Sequence, residues 1–153
     1  MPEFVLDGMH GQEWDALDEF TQGYIQAAFF TCGNNSGTLP GPNADENGEG
    51  DNREVGFADL APDTLALMVR NCRDFQAAHR EDLDEALDNG RINGYTDERA
   101  GMDFWYTRNG HGCGYWDRGL GDVGDKLSEA CGHRTIWGEV DLYLGDDNKV
   151  HQS

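Results

Sequence analysis

Apolar residues recur at helical spacing along two stretches of the chain. Between Trp14 and Thr31, the residues Trp14, Leu17, Tyr24 and Ala28 fall on one stripe that Phe20 and Phe29 widen, which predicts a first helix. Gly23 lies inside it and weakens it, and Gly33 follows as a stop. The second pattern is cleaner. Leu65, Met68, Cys72, Phe75 and His79 repeat every three or four residues, Leu83 and Leu87 continue the stripe, and Asn89-Gly90 ends it. Pro62 suits the first helical position, Asp63 sits at the positive end of the helix dipole, and Leu60 and Leu65 are placed to form a hydrophobic staple. His79 is then a flank of the apolar stripe.

The pattern changes period further along. Phe104 to Asp117 reads as two aromatic, strand-prone runs on either side of Asn109-Gly110-His111-Gly112, which predicts a β-hairpin. On such a hairpin Gly110, Gly112 and Gly114 would leave a bare strip on one face. A short helix is predicted from Asp122 to Cys131, with Val123, Leu127 and Ala130 on one side. The chain closes on a second hairpin. In it Val140, Leu142 and Leu144 alternate with Asp141 and Tyr143, and Gly145-Asp146-Asp147-Asn148 makes the turn. The expected fold class is α+β, an antiparallel sheet from two C-terminal hairpins packed against two or three helices. The length of 153 residues suits a single domain, 1–153.

Residues 33–56 bring glycine, asparagine and acid with almost nothing to bury, so a mobile acidic and glycine-rich loop is expected there. Its Asp45-Glu46-Asn47-Gly48-Glu49-Gly50 echoes the start of a calcium loop, but Gly56 stands where the bidentate Glu would be needed.

Charge narrows the range of partners. Thirty Asp and Glu oppose eleven Lys and Arg, a formal charge of −19. Such a surface repels nucleic acid, anionic membranes and acidic proteins, and attracts cations and basic proteins. Direct binding to a DNA backbone is not expected on that ground, since it needs Lys and Arg at the phosphates. The same bias also arises from composition alone, as a genome-wide or salt-adapted habit. Residues 1–11 carry no basic stretch and no long apolar run, and no segment approaches a membrane span, so no membrane association and a cytosolic setting with reduced Cys32, Cys72, Cys113 and Cys131 are expected.

Three groupings carry candidate chemistry. The first is Asp103, Arg108, His111 and Asp117 on the expected 103–117 hairpin. His111 would shuttle a proton, Asp103 or Asp117 would orient it, and Arg108 would hold an anion. Cross-strand ion pairing explains the same residues without catalysis. The second is His111 and Cys113 with Cys131 and His133, four zinc-ligand types in an H-x-C…C-x-H order whose one-residue spacing departs from common zinc motifs. The third is the row Asp74, Glu81, Asp82, Asp84, Glu85 and Asp88 on the second helix and its extension. These carboxylates either imitate duplex phosphates to a basic groove or form a solvated face. No nucleophile elbow, phosphate-cradling glycine loop or HExxH pair occurs.

The run from Asp103-Phe104-Trp105 through Thr107-Arg108-Asn109-Gly110-His111-Gly112 to Gly114, Trp116-Asp117-Arg118-Gly119 resembles a group of small acidic phage-encoded proteins of no assigned activity. Leu120 to Leu127 and Val140 to Asp147 are similar to the same group, with a fainter likeness at Phe20 to Phe30. In that pattern a small residue such as Ala often stands at the position of Cys113, which weighs against zinc. The resemblance implies a phage or prophage origin and a host-cytoplasm setting, and carries over no catalytic residue. The leading expectation is a non-enzymatic phage accessory protein, without a cofactor, that binds a basic host protein handling nucleic acid. The alternatives are a small enzyme with an acid–base site on the 103–117 hairpin and a zinc-stapled structural phage protein.

Overall fold

A computed structural model describes residues 13–35, 37–47, 49–132 and 135–152, with backbone only at 33–35. Five α-helices of ten residues or more run in order among the described residues: α1 (Glu19–Asn35), α2 (Pro62–Ala78), α3 (Arg80–Gly90), α4 (Asp97–Arg108) and α5 (Asp122–Cys131). Two short antiparallel ladders accompany them, β1 (Thr38–Pro40) with β2 (Asn52–Glu54) and β3 (Leu142–Leu144) with β4 (Val150–Gln152). The fold is α+β.

The helix beginning at Pro62 forms as its stripe demands. Met68, Cys72 and Phe75 are buried on α2, and Leu83 and Ala86 on α3. The helix breaks at His79, whose φ of −124° and ψ of 28° leave the helical region. His79 packs its ring on Phe75, centroids 4.7 Å apart, as a flank of the stripe. The last helix spans the Asp122 to Cys131 expected for it, and the C-terminal hairpin turns through Asn148 at φ 63°.

Two expectations are overturned. Residues 104–117 do not form a hairpin, because Asp97–Arg108 is the helix α4. Thr96 caps it, its hydroxyl accepting from the Arg99 N–H at 3.3 Å, and Asp97 and Glu98 follow at the positive end of the dipole. Gly110 and Gly112 take left-handed turns after the helix (φ 65° and 79°), and Gly114 is closed in against Thr107 and Trp116, so no bare strip exists. The stretch expected as a loop at 33–56 carries the other ladder, pairing Leu39 with Arg53 and burying Leu39 and Val55. The two ladders lie side by side. The Arg53 guanidinium donates to the Asn148 side-chain carbonyl at 2.8 Å, and Val150 accepts from the N–H of Ala61.

The core is one cluster centred on α1 and α4, the most extensive helix pair. Phe104 of α4 stacks on Phe75 of α2 at 4.2 Å and 12°, with Phe20, Tyr24 and Trp137 around them. The helices touch backbone to backbone. A Cβ on Gly23 would lie 1.8 Å from the Glu98 carbonyl oxygen, and one on Gly101 would lie 1.7 Å from that of Phe20. Gly23 therefore does not weaken the helix in context; it permits the crossing.

Candidate functional site

The polar residues of 103–119 are distributed by α4 and its exit loop to separate places. Asp103 faces inward at 1 % exposure. It accepts the Tyr95 hydroxyl at 2.7 Å and takes Arg118 side-on, through Nε at 3.0 and 3.1 Å and Nη2 at 2.8 Å. Burial pushes its carboxyl above the usual range, against the pull of Arg118 and Tyr95. This pair ties the first residue of the aromatic–glycine run to its far end. Two further bonds close the same loop: the Tyr115 N–H donates to the Thr107 hydroxyl, and the Tyr115 hydroxyl donates to the Ala100 carbonyl at 2.7 Å. The long motif is thus a stapled structural unit.

Arg108 is not available to an anion. At 4 % exposure it donates to the Tyr24 hydroxyl at 2.9 Å and to the carbonyls of Trp137 and Gly138, and its guanidinium lies 5.4 Å over the Phe104 ring. It binds α1, α4 and the 137–138 segment together. His111 is exposed on the exit loop, edge-on to Tyr106 at 6.2 Å, and hydrogen-bonds neither Asp103 nor Asp117 among the described residues. Asp117 is exposed. The proposed acid–base grouping is therefore not assembled. Its expected ion pair exists, but Arg118, not Arg108, is the partner of Asp103. Since His111 touches so little, His111→Ala is expected to move the unfolding midpoint by no more than about 2 °C in calorimetry, as surface changes do.

The zinc-type residues do not converge either. Cys113 is half-buried on the loop, whereas Cys131 is buried at the end of α5 with its thiol on the Leu127 carbonyl at 3.2 Å; burial pushes that thiol up to about 12. His133 lies outside the described residues. No group of three His, Cys, Asp or Glu able to hold a metal occurs among the described residues. The calcium-like loop instead folds on itself, the Asp45 carboxylate accepting the backbone N–H groups of Asn47 and Glu49 at 2.8 and 2.9 Å.

The acidic row remains on the surface. Asp74 lies on α2, and Glu81, Asp82, Asp84, Glu85 and Asp88 lie on α3, beyond the break at His79. All are exposed except the half-buried Asp82. Arg80 meets Asp84 at 2.8 Å, Arg91 meets Asp88 at 3.9 Å and Arg73 meets Asp74 at 3.6 Å. Glu81, Asp82 and Glu85 form no ion pair among the described residues. Leu83 and Ala86 anchor the opposite side of α3 in the core, so the face is held rigidly outward.

One cavity gathers groups from distant parts of the chain. It has a volume of about 330 Å³ and opens where α1 and α4 end. Thr31 and Cys32 form one wall, Trp105, Asn109 and His111 another, and residues 139–141 the third. Burial, with Asp141 nearby, pushes the Cys32 thiol up to about 11, so it stays protonated and unreactive at neutral pH. Nothing in the sequence links Thr31, Trp105 and Glu139, which come together only by the crossing of α1 and α4. No helix of the described residues is long and apolar enough to cross a membrane.

Comparison with known proteins finds no matching family model, no matching curated protein and no matching solved structure.

Proposed function

We propose that this chain is a phage accessory protein that binds a basic, nucleic-acid-handling protein of the host cytoplasm and inhibits or modulates it. The observation that carries the reading is the outward face of α3, which holds Glu81, Asp82 and Glu85 without ion-pair partners among the described residues, on a helix fixed to the core, in a chain of charge −19. A rigid row of carboxylates presents negative charge at defined spacing, as duplex phosphates do, without the cost of ordering a flexible segment. The long-range field speeds encounter with a positive groove and makes the association salt-sensitive. On this reading the protein acts as a DNA mimic in an anti-defence or regulatory role, as a binder and not as an enzyme.

The test is capture from nuclease-treated bacterial lysate at low and high salt, with the triple variant Glu81→Lys, Asp84→Lys, Glu85→Lys alongside. The expected result is one nucleic-acid-binding protein recovered in stoichiometric yield at low salt, lost at high salt, and bound at least about tenfold more weakly by the variant. Equal capture by the charge-reversed variant refutes the reading.

A further inference from the structure

We propose that the cleft at the ends of α1 and α4 receives a single lysine or arginine side chain of the partner; this rests on the reading above that the partner is basic. The walls are set before any ligand arrives. The Trp105 indole N–H donates to the Thr31 hydroxyl at 2.8 Å. The Asn109 side chain donates to the Trp105 carbonyl at 3.0 Å and accepts the Val140 N–H at 2.8 Å. These three bonds lock α1, α4 and the 139–141 segment around a space of about 330 Å³. That is the small end of the range for ligand cavities and fits one long side chain better than a cofactor.

The lining selects the charge. Among the described residues no lysine or arginine borders the cleft, so an anion finds no counter-charge from them. A metal ion finds no cluster of three ligating groups among the described residues. Glu139, Asp141 and His111 are exposed residues of the lining, and Glu139 forms no ion pair among the described residues. An arginine or lysine matches both halves of this surface. Its methylene stem would lie on Trp105 and Val140 while its head meets the Glu139 carboxylate in a charge-assisted bond.

The experiment titrates the full ¹⁵N-labelled chain at low ionic strength with acetyl-arginine amide and, separately, with the neutral acetyl-citrulline amide. The expected result is saturable shifts at the Trp105 indole N–H and the Thr31 and Val140 amides with the arginine probe only. Glu139→Gln should weaken that binding about fivefold, and the α3 charge-reversed variant should retain it. Equal shifts from the citrulline probe, unsaturable shifts spread along α3, or indifference to Glu139→Gln each overturn the cleft. The two readings fail separately. Salt-sensitive capture of a partner with no arginine site at Trp105 removes the cleft alone, and a working cleft with no basic partner removes the partner reading alone.

Discussion

Gly101→Ala and Gly23→Ala are each expected to destabilise the protein by about 3 kcal/mol or more, lowering the unfolding midpoint by about 10 °C. Helix propensity alone gives the opposite sign, since Gly to Ala in a helix interior gains about 1 kcal/mol. The crossing of α1 and α4 decides the matter. The new methyl group would sit 1.7 Å from the Phe20 carbonyl oxygen in one variant and 1.8 Å from that of Glu98 in the other. Both obstacles are backbone of the facing helix, so no rotamer change relieves them and the helices must separate. Separation thins the contacts of Phe20, Tyr24, Phe104 and Trp105 together. Because either methyl forces the same separation, the double variant should lose less than the sum of the two singles. Urea unfolding of the three variants checks this. A midpoint equal to or above that of the parent chain for either single variant would show that the helices do not meet as described.

The second large effect is expected at Arg118→Met. Asp103 at 1 % exposure keeps its charge through Arg118 and the Tyr95 hydroxyl, and removing the guanidinium leaves a buried carboxylate with one donor. The expected loss is about 3 kcal/mol at pH 7, at the low end for severing a buried pair because the Arg118 side chain keeps 35 % of its surface in water. The pH dependence distinguishes this cause from lost packing. Burial holds the folded Asp103 carboxyl above its unfolded value, so the folded state binds the extra proton. Its contribution is then fully present below the unfolded value, about 4, and is lost as pH rises through the folded one. Without Arg118 the folded value climbs further. The deficit of the variant should therefore be largest at neutral pH and shrink toward pH 4, where a protonated Asp103 no longer needs the guanidinium. A deficit constant across pH 4 to 7 would assign the role of Arg118 to packing.

The elements that the sequence made legible are those with one buried face. On α2 and α3, Met68, Cys72, Phe75, Leu83 and Ala86 are buried at helical spacing and the opposite face is exposed, so periodicity and the Pro62 start locate the helix. The hairpin of Leu142 and Val150 and the helix Asp122–Cys131 follow for the same reason. Helix α4 misled because it is buried nearly all round. With Ala100, Asp103, Phe104, Trp105, Thr107 and Arg108 all inside, no polar face remains to mark a period, and an aromatic run before Asn109-Gly110 then imitates a strand. The Thr96-Asp97-Glu98 start was the local signal for it. In the loop region, Leu39 and Val55 were too isolated to mark strands.

By itself the sequence determined the charge of −19, the α+β class, the amphipathic helices that start at Pro62 and span Asp122–Cys131, and which carboxylates lie outward on α3, because each follows from composition or from neighbours three and four residues apart. The first helix, expected over Trp14–Thr31 with Gly33 as its stop, instead spans Glu19–Asn35 and runs through Gly33. The tertiary structure alone decided that Gly23 and Gly101 are contact points, that Asp103 pairs with Arg118 and Arg108 with Tyr24 and backbone carbonyls, and that Thr31, Trp105 and Glu139 share a cleft. These depend on where one helix crosses another. That crossing is set by the shapes of all the side chains between the two helices at once, and no local pattern of residues encodes it.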